Sequence, residues 1–192
     1  SSLVSMVKFL MDHNQQQDGF YLYNHEELFE LLQNPPTNKP VLLFGVSFAL
    51  LDFAANFGSE AAFTIVETGG MKGRKKEITK QELYQTLQGA FSNATILSEY
   101  GMTELMSQAY STNTGIYTAP PWMKVLPRAD NDPLSHTANG RSAALNIIDL
   151  ANIDTCAFIA TDDIGRIHSD GTFEVSGRLD YADMRGCSMM AL

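Results

Sequence analysis

The chain has 192 residues, 44% of them apolar, and carries 13 basic against 22 acidic side chains for a net charge of −9. At roughly 150 residues per domain this is one substantial domain with an ordinary core, and the composition excludes disordered and collagen-like chains. So acidic a surface repels phosphate backbones, and nucleic-acid binding is not expected.

The chain opens Ser1-Ser2-Leu3-Val4, with neither an initiator Met nor a signal pattern, which suggests a piece of something longer. Leu3, Met6, Val7 and Leu10 fall on one helical face and predict a short helix capped by Ser1 or Ser2. Asn24 with Glu27 resembles a capping box, and Leu28, Leu31 and Leu32 form the apolar stripe of a second helix stopped by Asn34-Pro35-Pro36. Residues 40–57 read as a strand (Val41 to Phe44), a turn at Gly45 to Ser47 and an apolar helix. Their apolar run, Val41 to Leu51, is well short of the roughly 20 residues of a membrane helix, so no membrane span is expected.

A second strand–helix unit follows: Ala62 to Val66, the loop ETGGMKGRKKEI, and a helix opened by the box Thr79-Lys80-Gln81-Glu82 with Leu83, Leu87 and Ala90 inward. A third pairs the strand Ala94 to Ser98 with a turn at Glu99 to Met102 and a helix from Thr103 to Tyr110. Three such units predict an α/β fold with a parallel sheet flanked by helices. After Ser111 strands take over, at Trp122 to Leu126, Ala143 to Ile148, Cys156 to Ala160, Arg166 to His168 and Thr172 to Val175. The last two flank Asp170-Gly171 and predict a C-terminal hairpin.

In open α/β sheets ligands bind beyond the carboxyl ends of the strands, where helix N-termini point their amides at anions. Two polar loops fall there: Glu67-Thr68-Gly69-Gly70, and Glu99 to Glu104. A purely architectural reading of the second makes Thr103 a helix cap with Glu104 in the first turn.

Tyr100-Gly101-Met102-Thr103-Glu104 resembles the Tyr-Gly-x-Thr-Glu signature of the adenylate-forming acyl ligases, which join a carboxylate to AMP from ATP and pass the acyl group to a thiol. Thr161 to Arg166, Asp170-Gly171 and Gly177-Arg178-Leu179-Asp180 resemble further motifs of that superfamily, in the expected order. Together with ETGGMKGRKKE, SEYGMTELMSQAYS and GRLDYADMRGCSMM they are similar to the long-chain acyl-protein synthetases, the LuxE-type acyl transferases. The resemblance covers nearly the whole chain and implies activation of a long-chain fatty acid as acyl-AMP, with ATP and Mg²⁺, and transfer to the enzyme's own cysteine, with an acyl reductase as a possible partner.

By position, the resemblance implies that Tyr100 stacks on adenine and that Gly69, Gly70 and Gly101 let backbone approach the nucleotide. Thr103 would meet the α-phosphate, Glu104 would bind Mg²⁺, Asp163 would accept from the ribose hydroxyls, and Arg178 would contact the nucleotide near a hinge at Asp180. Cys187 would be the acyl acceptor. No Ser/Thr/Gly-rich phosphate loop precedes the third unit, and Asp162 stands where the superfamily has Gly. Residues 1–192 are thus expected to be the C-terminal part of an acyl-adenylating domain, inert alone, with the phosphate loop upstream.

Other readings stay open. An acyl- or aryl-CoA ligase would use a diffusible thiol and not need Cys187, and a non-catalytic nucleotide-binding scaffold would keep only the fold. The basic residues Lys72, Arg74, Lys75, Lys76 and Lys80 read as a solvated loop. His13, His25, His136 and His168 show no metal spacing, and Tyr117, Pro120, Pro121 and Trp122 read as packed aromatics before an acyl-pocket wall. Cys156, in an apolar run, reads as a small buried hydrophobe, whereas Cys187 beside Arg185-Gly186 reads as exposed and mobile. Two cysteines make no disulfide framework, and a cytoplasmic setting is expected.

Overall fold

The computed structural model describes residues 2–14, 19–35, 38–69, 78–112 and 114–179. The described residues divide into two compact units, one within residues 1–97 and the other within residues 98–179.

The first unit holds α1 (Ser2–Asn14), α2 (His25–Gln33), β1 (Leu42–Val46), α3 (Ser47–Asn56), β2 (Thr64–Thr68), α4 (Lys80–Ala90) and the start of β3 (Thr95–Tyr100). β1 and β2 pair in parallel from Leu42 opposite Thr64 to Val46 opposite Thr68, and β2 lies between β1 and β3. β2 is buried on both faces, as a central parallel strand covered by helices should be. Leu50, Phe53, Leu83, Leu87 and Phe91 close over Ile65 and Ile96, with Phe53 stacked on Phe57 and Phe91. The expected box at Thr79 forms: its side chain accepts from the Glu82 amide, and Glu82 accepts from the Thr79 amide. At Asn24 it does not, because the amide side chain donates to Glu27 instead of capping backbone.

The second unit is antiparallel, in the order β4-β5-β9-β8-β7-β6: β4 (Ala109–Thr112), β5 (Ile116–Thr118), β6 (Met123–Arg128), β7 (Ala143–Asp149), β8 (Phe158–Ile167) and β9 (Phe173–Arg178). Pro127, which has no amide to donate, sits in β6 at the end of that order, where a strand tolerates it. The two segments expected around residues 156–168 are one ten-residue strand, β8. It turns into β9 at Asp170-Gly171, where Gly171 has φ 87° and Asp170 accepts from the Thr172 amide and hydroxyl. The register slips between Ile164 and Gly165, and there the backbone approaches so closely that a Cβ on Gly165 would lie 2.0 Å from the Glu174 carbonyl oxygen. Leu145, Ile147, Ile167 and Phe173 form the core with Tyr100 and Tyr117.

One expected element is overturned. The helix from Thr103 to Tyr110 does not exist: Thr103 and Glu104 form a turn and residues 109–112 are β4. The amides of Met106 and Ser107 donate to the carboxylate of Asp149, across 43 and 42 residues of chain, and so leave the local ladder a helix would need. The architectural reading of Thr103 as a helix cap falls with it.

Candidate functional site

In the first unit, β2 ends on Glu67-Thr68-Gly69. The Glu67 side chain, 0% exposed, lies 2.6 Å from Lys80 Nζ at the start of α4 and accepts from the Ser47 hydroxyl at the start of α3. That hydroxyl is also within reach of the Gly69 carbonyl at 2.6 Å, so one serine ties the buried acid to the turn. Gly69 adopts φ 72°, a left-handed conformation that an L side chain rarely takes. Lys80 is therefore an ion-paired residue of a helix start and not part of a solvated loop. Gly70, Lys72, Arg74, Lys75 and Lys76 lie outside the described residues.

In the second unit, Tyr100, Asp163 and Arg178 come together from β3, β8 and β9. Tyr100 is 8% exposed, and its ring packs against Tyr117 (centroids 5.8 Å apart) and edge-on to Phe173 (5.3 Å). Its hydroxyl donates to Asp163 Oδ2 at 2.7 Å. Burial foremost, and then the negative charge of Asp163, hold the Tyr100 phenol far above its ordinary value. Asp163 and Arg178 are register partners across the β8–β9 pair, with Arg178 Nε 3.5 Å from Asp163 Oδ1 and Nη2 3.3 Å from Asp162 Oδ2. The hydroxyl of Thr161, itself donating to the Leu145 carbonyl, receives the Asp163 amide at 3.1 Å and sets the backbone there.

These contacts give the cluster its chemistry. A carboxylate has about four lone-pair positions. In Asp163, Tyr100 takes one at Oδ2 and Arg178 faces Oδ1, which leaves acceptor capacity for the two hydroxyls of a cis-diol. Gly101, Thr103 and Glu104 are exposed, on the turn that directly follows Tyr100. Among the described residues no group of three or more His, Cys, Asp or Glu could hold a metal ion. The single carboxylate of Glu104 suits the mode in which Mg²⁺ takes one protein oxygen and completes its shell with phosphates and water. Asp180 and Cys187 lie outside the described residues.

Cys156 departs from expectation. It is exposed, and its thiol faces the Phe158 carbonyl at 3.4 Å, because the chain turns outward after β7 before β8 begins. Tyr117 is packed as expected, whereas Trp122 is 52% exposed. Sequence reasoning passed over Asp149, Ser107 and Asn152, which hold the turn after Tyr100. The only trace was a polar residue closing the apolar strand Ala143 to Ile148, a pattern shared by many strand ends.

No protein-family model and no curated protein matches the chain. Solved structures do. ATP-bound MatB from Rhodopseudomonas palustris is similar over 83% of this chain and 34% of its own, at 13% identity and a TM-score of 0.62. O-succinylbenzoate coenzyme A synthetase (MenE) from Bacillus subtilis, in complex with ATP and magnesium, is similar over 81% of this chain and 34% of its own, at 14% identity and a TM-score of 0.57. A benzoate CoA ligase from Burkholderia xenovorans is similar over 82% and 35%, at 16% identity and a TM-score of 0.54. The chain therefore has the mixed α/β fold of part of these three structures. It spans about a third of the length of these structures.

Proposed function

We propose that this chain is the nucleotide-reading part of an ATP-dependent, AMP-forming ligase of the acyl-protein synthetase type. The observation that carries the reading is the Tyr100–Asp163–Arg178 cluster, in which a half-engaged carboxylate is steered by a buried phenol and a guanidinium. In this reading Asp163 accepts from the ribose hydroxyls, Arg178 offsets the negative charge of Asp162 and Asp163 beside an anionic ligand, and Gly101 gives room for the nucleotide. The Tyr100 ring borders the adenine, Thr103 donates to the α-phosphate, and Glu104 supplies one oxygen to the magnesium that accompanies the phosphates. A fatty-acid carboxylate oxygen bonds to the α-phosphorus as the bond to pyrophosphate breaks. The thiolate of Cys187 then bonds to the acyl carbon and AMP leaves with the electron pair, its proton having gone to solvent.

A second reading, transfer to a diffusible thiol such as coenzyme A, is favoured by the names of the solved neighbours, two of which are CoA ligases or synthetases. Calorimetric titration with AMP and 2′-deoxy-AMP tests the nucleotide reading. The unaltered chain is expected to prefer AMP, and Asp163→Asn to lose most of that preference while staying folded; equal binding of both by the unaltered chain refutes the role given to Asp163. In the longer enzyme, neutral hydroxylamine should release labelled acyl groups from the wild type and Cys156→Ser but find none on Cys187→Ser. Because Cys156 is exposed, both substitutions are needed. Acyl-CoA formation that survives in Cys187→Ser supports the second reading.

A further inference from the structure

The turn that carries Gly101, Thr103 and Glu104 is not a helix, yet it is held at several points. Asn152 Nδ2 donates to the Glu104 carbonyl at 2.7 Å. Asp149 Oδ2 accepts the amides of Met106 and Ser107 at 3.0 and 2.9 Å, and Oδ1 accepts the Ser107 hydroxyl at 2.7 Å. Ser107 Oγ in turn receives the indole N–H of Trp122 at 2.9 Å. Asp149 is 0% exposed, and Asn152 and Ser107 are buried. Asp149 and Asn152 are themselves fixed from behind, Asp149 by the Ala151 amide at 3.1 Å and Asn152 by the Thr155 hydroxyl and by its own bond to the Cys156 carbonyl.

Burying a carboxylate is costly unless donors surround it, and an apolar residue would stabilise a strand end at less cost. Three of the four donors to Asp149 come from one short loop, so what the burial achieves is a single conformation for that loop. At its other end the loop begins at Tyr100, tied to Asp163. We infer that Asp149 and Asn152 are positioning residues, which act through the backbone of residues 104–107 to aim Thr103 and Glu104 at the ligand. The inference rests on the nucleotide reading for the identity of that ligand, but not for the holding of the loop.

Two readouts separate these claims. Trp122 is the only tryptophan of the chain, so its emission and its quenching by acrylamide report on the Ser107 bond, and amide hydrogen exchange reports on residues 101–108. Asp149→Asn places an amide N–H where at least one donor must now point and is expected to speed exchange fivefold or more in residues 101–108 while leaving β6–β9 protected. It should also shift Trp122 emission and weaken AMP binding about tenfold. Ser107→Ala, which keeps both backbone bonds to Asp149, is expected to alter Trp122 in the same direction with a smaller loss of affinity, and it serves if Asp149→Asn does not fold. Exchange that rises evenly over β6–β9, or a loop that loosens with affinity unchanged, overturns the positioning role. Failure of the unaltered chain to bind AMP overturns the nucleotide reading alone, and loop-confined exchange then still decides whether Asp149 holds the loop.

Discussion

Replacing Tyr100 by Phe removes one oxygen and leaves the ring that packs on Tyr117 and Phe173. What is lost is a bond from a buried phenol to the Asp163 carboxylate at 2.7 Å, worth about 1.5–3 kcal/mol for a hydrogen bond to a charged group. For a chain of this size that lowers the melting temperature by about 3–12 °C. The pH dependence supplies a second signature. The phenol is held far above its ordinary value of 10.0, chiefly by burial and then by Asp163. The unfolded chain therefore releases this proton near pH 10 while the folded chain keeps it. The stabilisation is fully present below that pH and declines as pH rises above it. Urea denaturation at pH 7, 9, 10 and 11 should give a constant gap between wild type and Tyr100→Phe up to pH 9, and a gap that shrinks beyond pH 10. A variant as stable as the wild type at pH 7, or a gap unchanged at pH 11, refutes the bond.

Gly165→Ala drives a Cβ against the Glu174 carbonyl and should cost about 3 kcal/mol or more of stability, read by denaturant titration; a neutral effect would contradict the close approach of β8 and β9. Thr79→Ala removes a formed capping box and should cost about 1 kcal/mol, whereas Asn24→Ala, whose side chain caps nothing, should change stability by under about 0.5 kcal/mol. Lys80→Met leaves Glu67 without the charge that faces it at 2.6 Å; with Lys80 itself 43% exposed, the loss should be about 1–3 kcal/mol, and a double-mutant cycle with Glu67→Gln should show the two effects to be less than additive.

The sequence was most legible where local rules decide the outcome. Alternation and helical spacing located the strands and helices of the first unit, because Val41 to Leu51 and Leu83 to Ala90 obey their own periods. The Asp170-Gly171 hairpin formed because that dipeptide satisfies its turn unaided. The reading failed where partners distant in sequence decide. Thr103 to Tyr110 has a cap, an acid in the first turn and an apolar stripe, and still lies in turn and strand, since two of its amides are claimed by Asp149. Cys156 was misjudged for a related reason: apolar neighbours signal burial only when the strand continues through them, and here β8 begins at Phe158. In the candidate site, Tyr100, Asp163 and Arg178 were named from the resemblance and are brought together. The network beneath the Thr103 turn, built from residues common to many strand ends, carried no signal of its own.

Among the described residues each unit keeps one fully buried carboxylate, and the two solve the desolvation problem differently. Glu67 faces a lysine and a serine, so its loop depends on a cation that reaches solvent. Asp149 is met instead by three backbone amides and a hydroxyl: burial pushes its carboxyl up, and bonds from Ser107, Met106 and Ala151 more than offset that, holding it below its ordinary value. A lowered carboxylate stabilises the fold above the pKa of the unfolded chain and loses that contribution as pH falls through the folded value. The Asp149 loop should therefore be indifferent to pH from 5 upward and loosen in acid below about pH 4, the ordinary carboxylate range. Exchange of the Met106 and Ser107 amides, followed from pH 6 to pH 3 and corrected for intrinsic rates, should show protection that declines only at the acid end. Protection that is already falling between pH 6 and pH 5 would mean that another titrating group governs the loop.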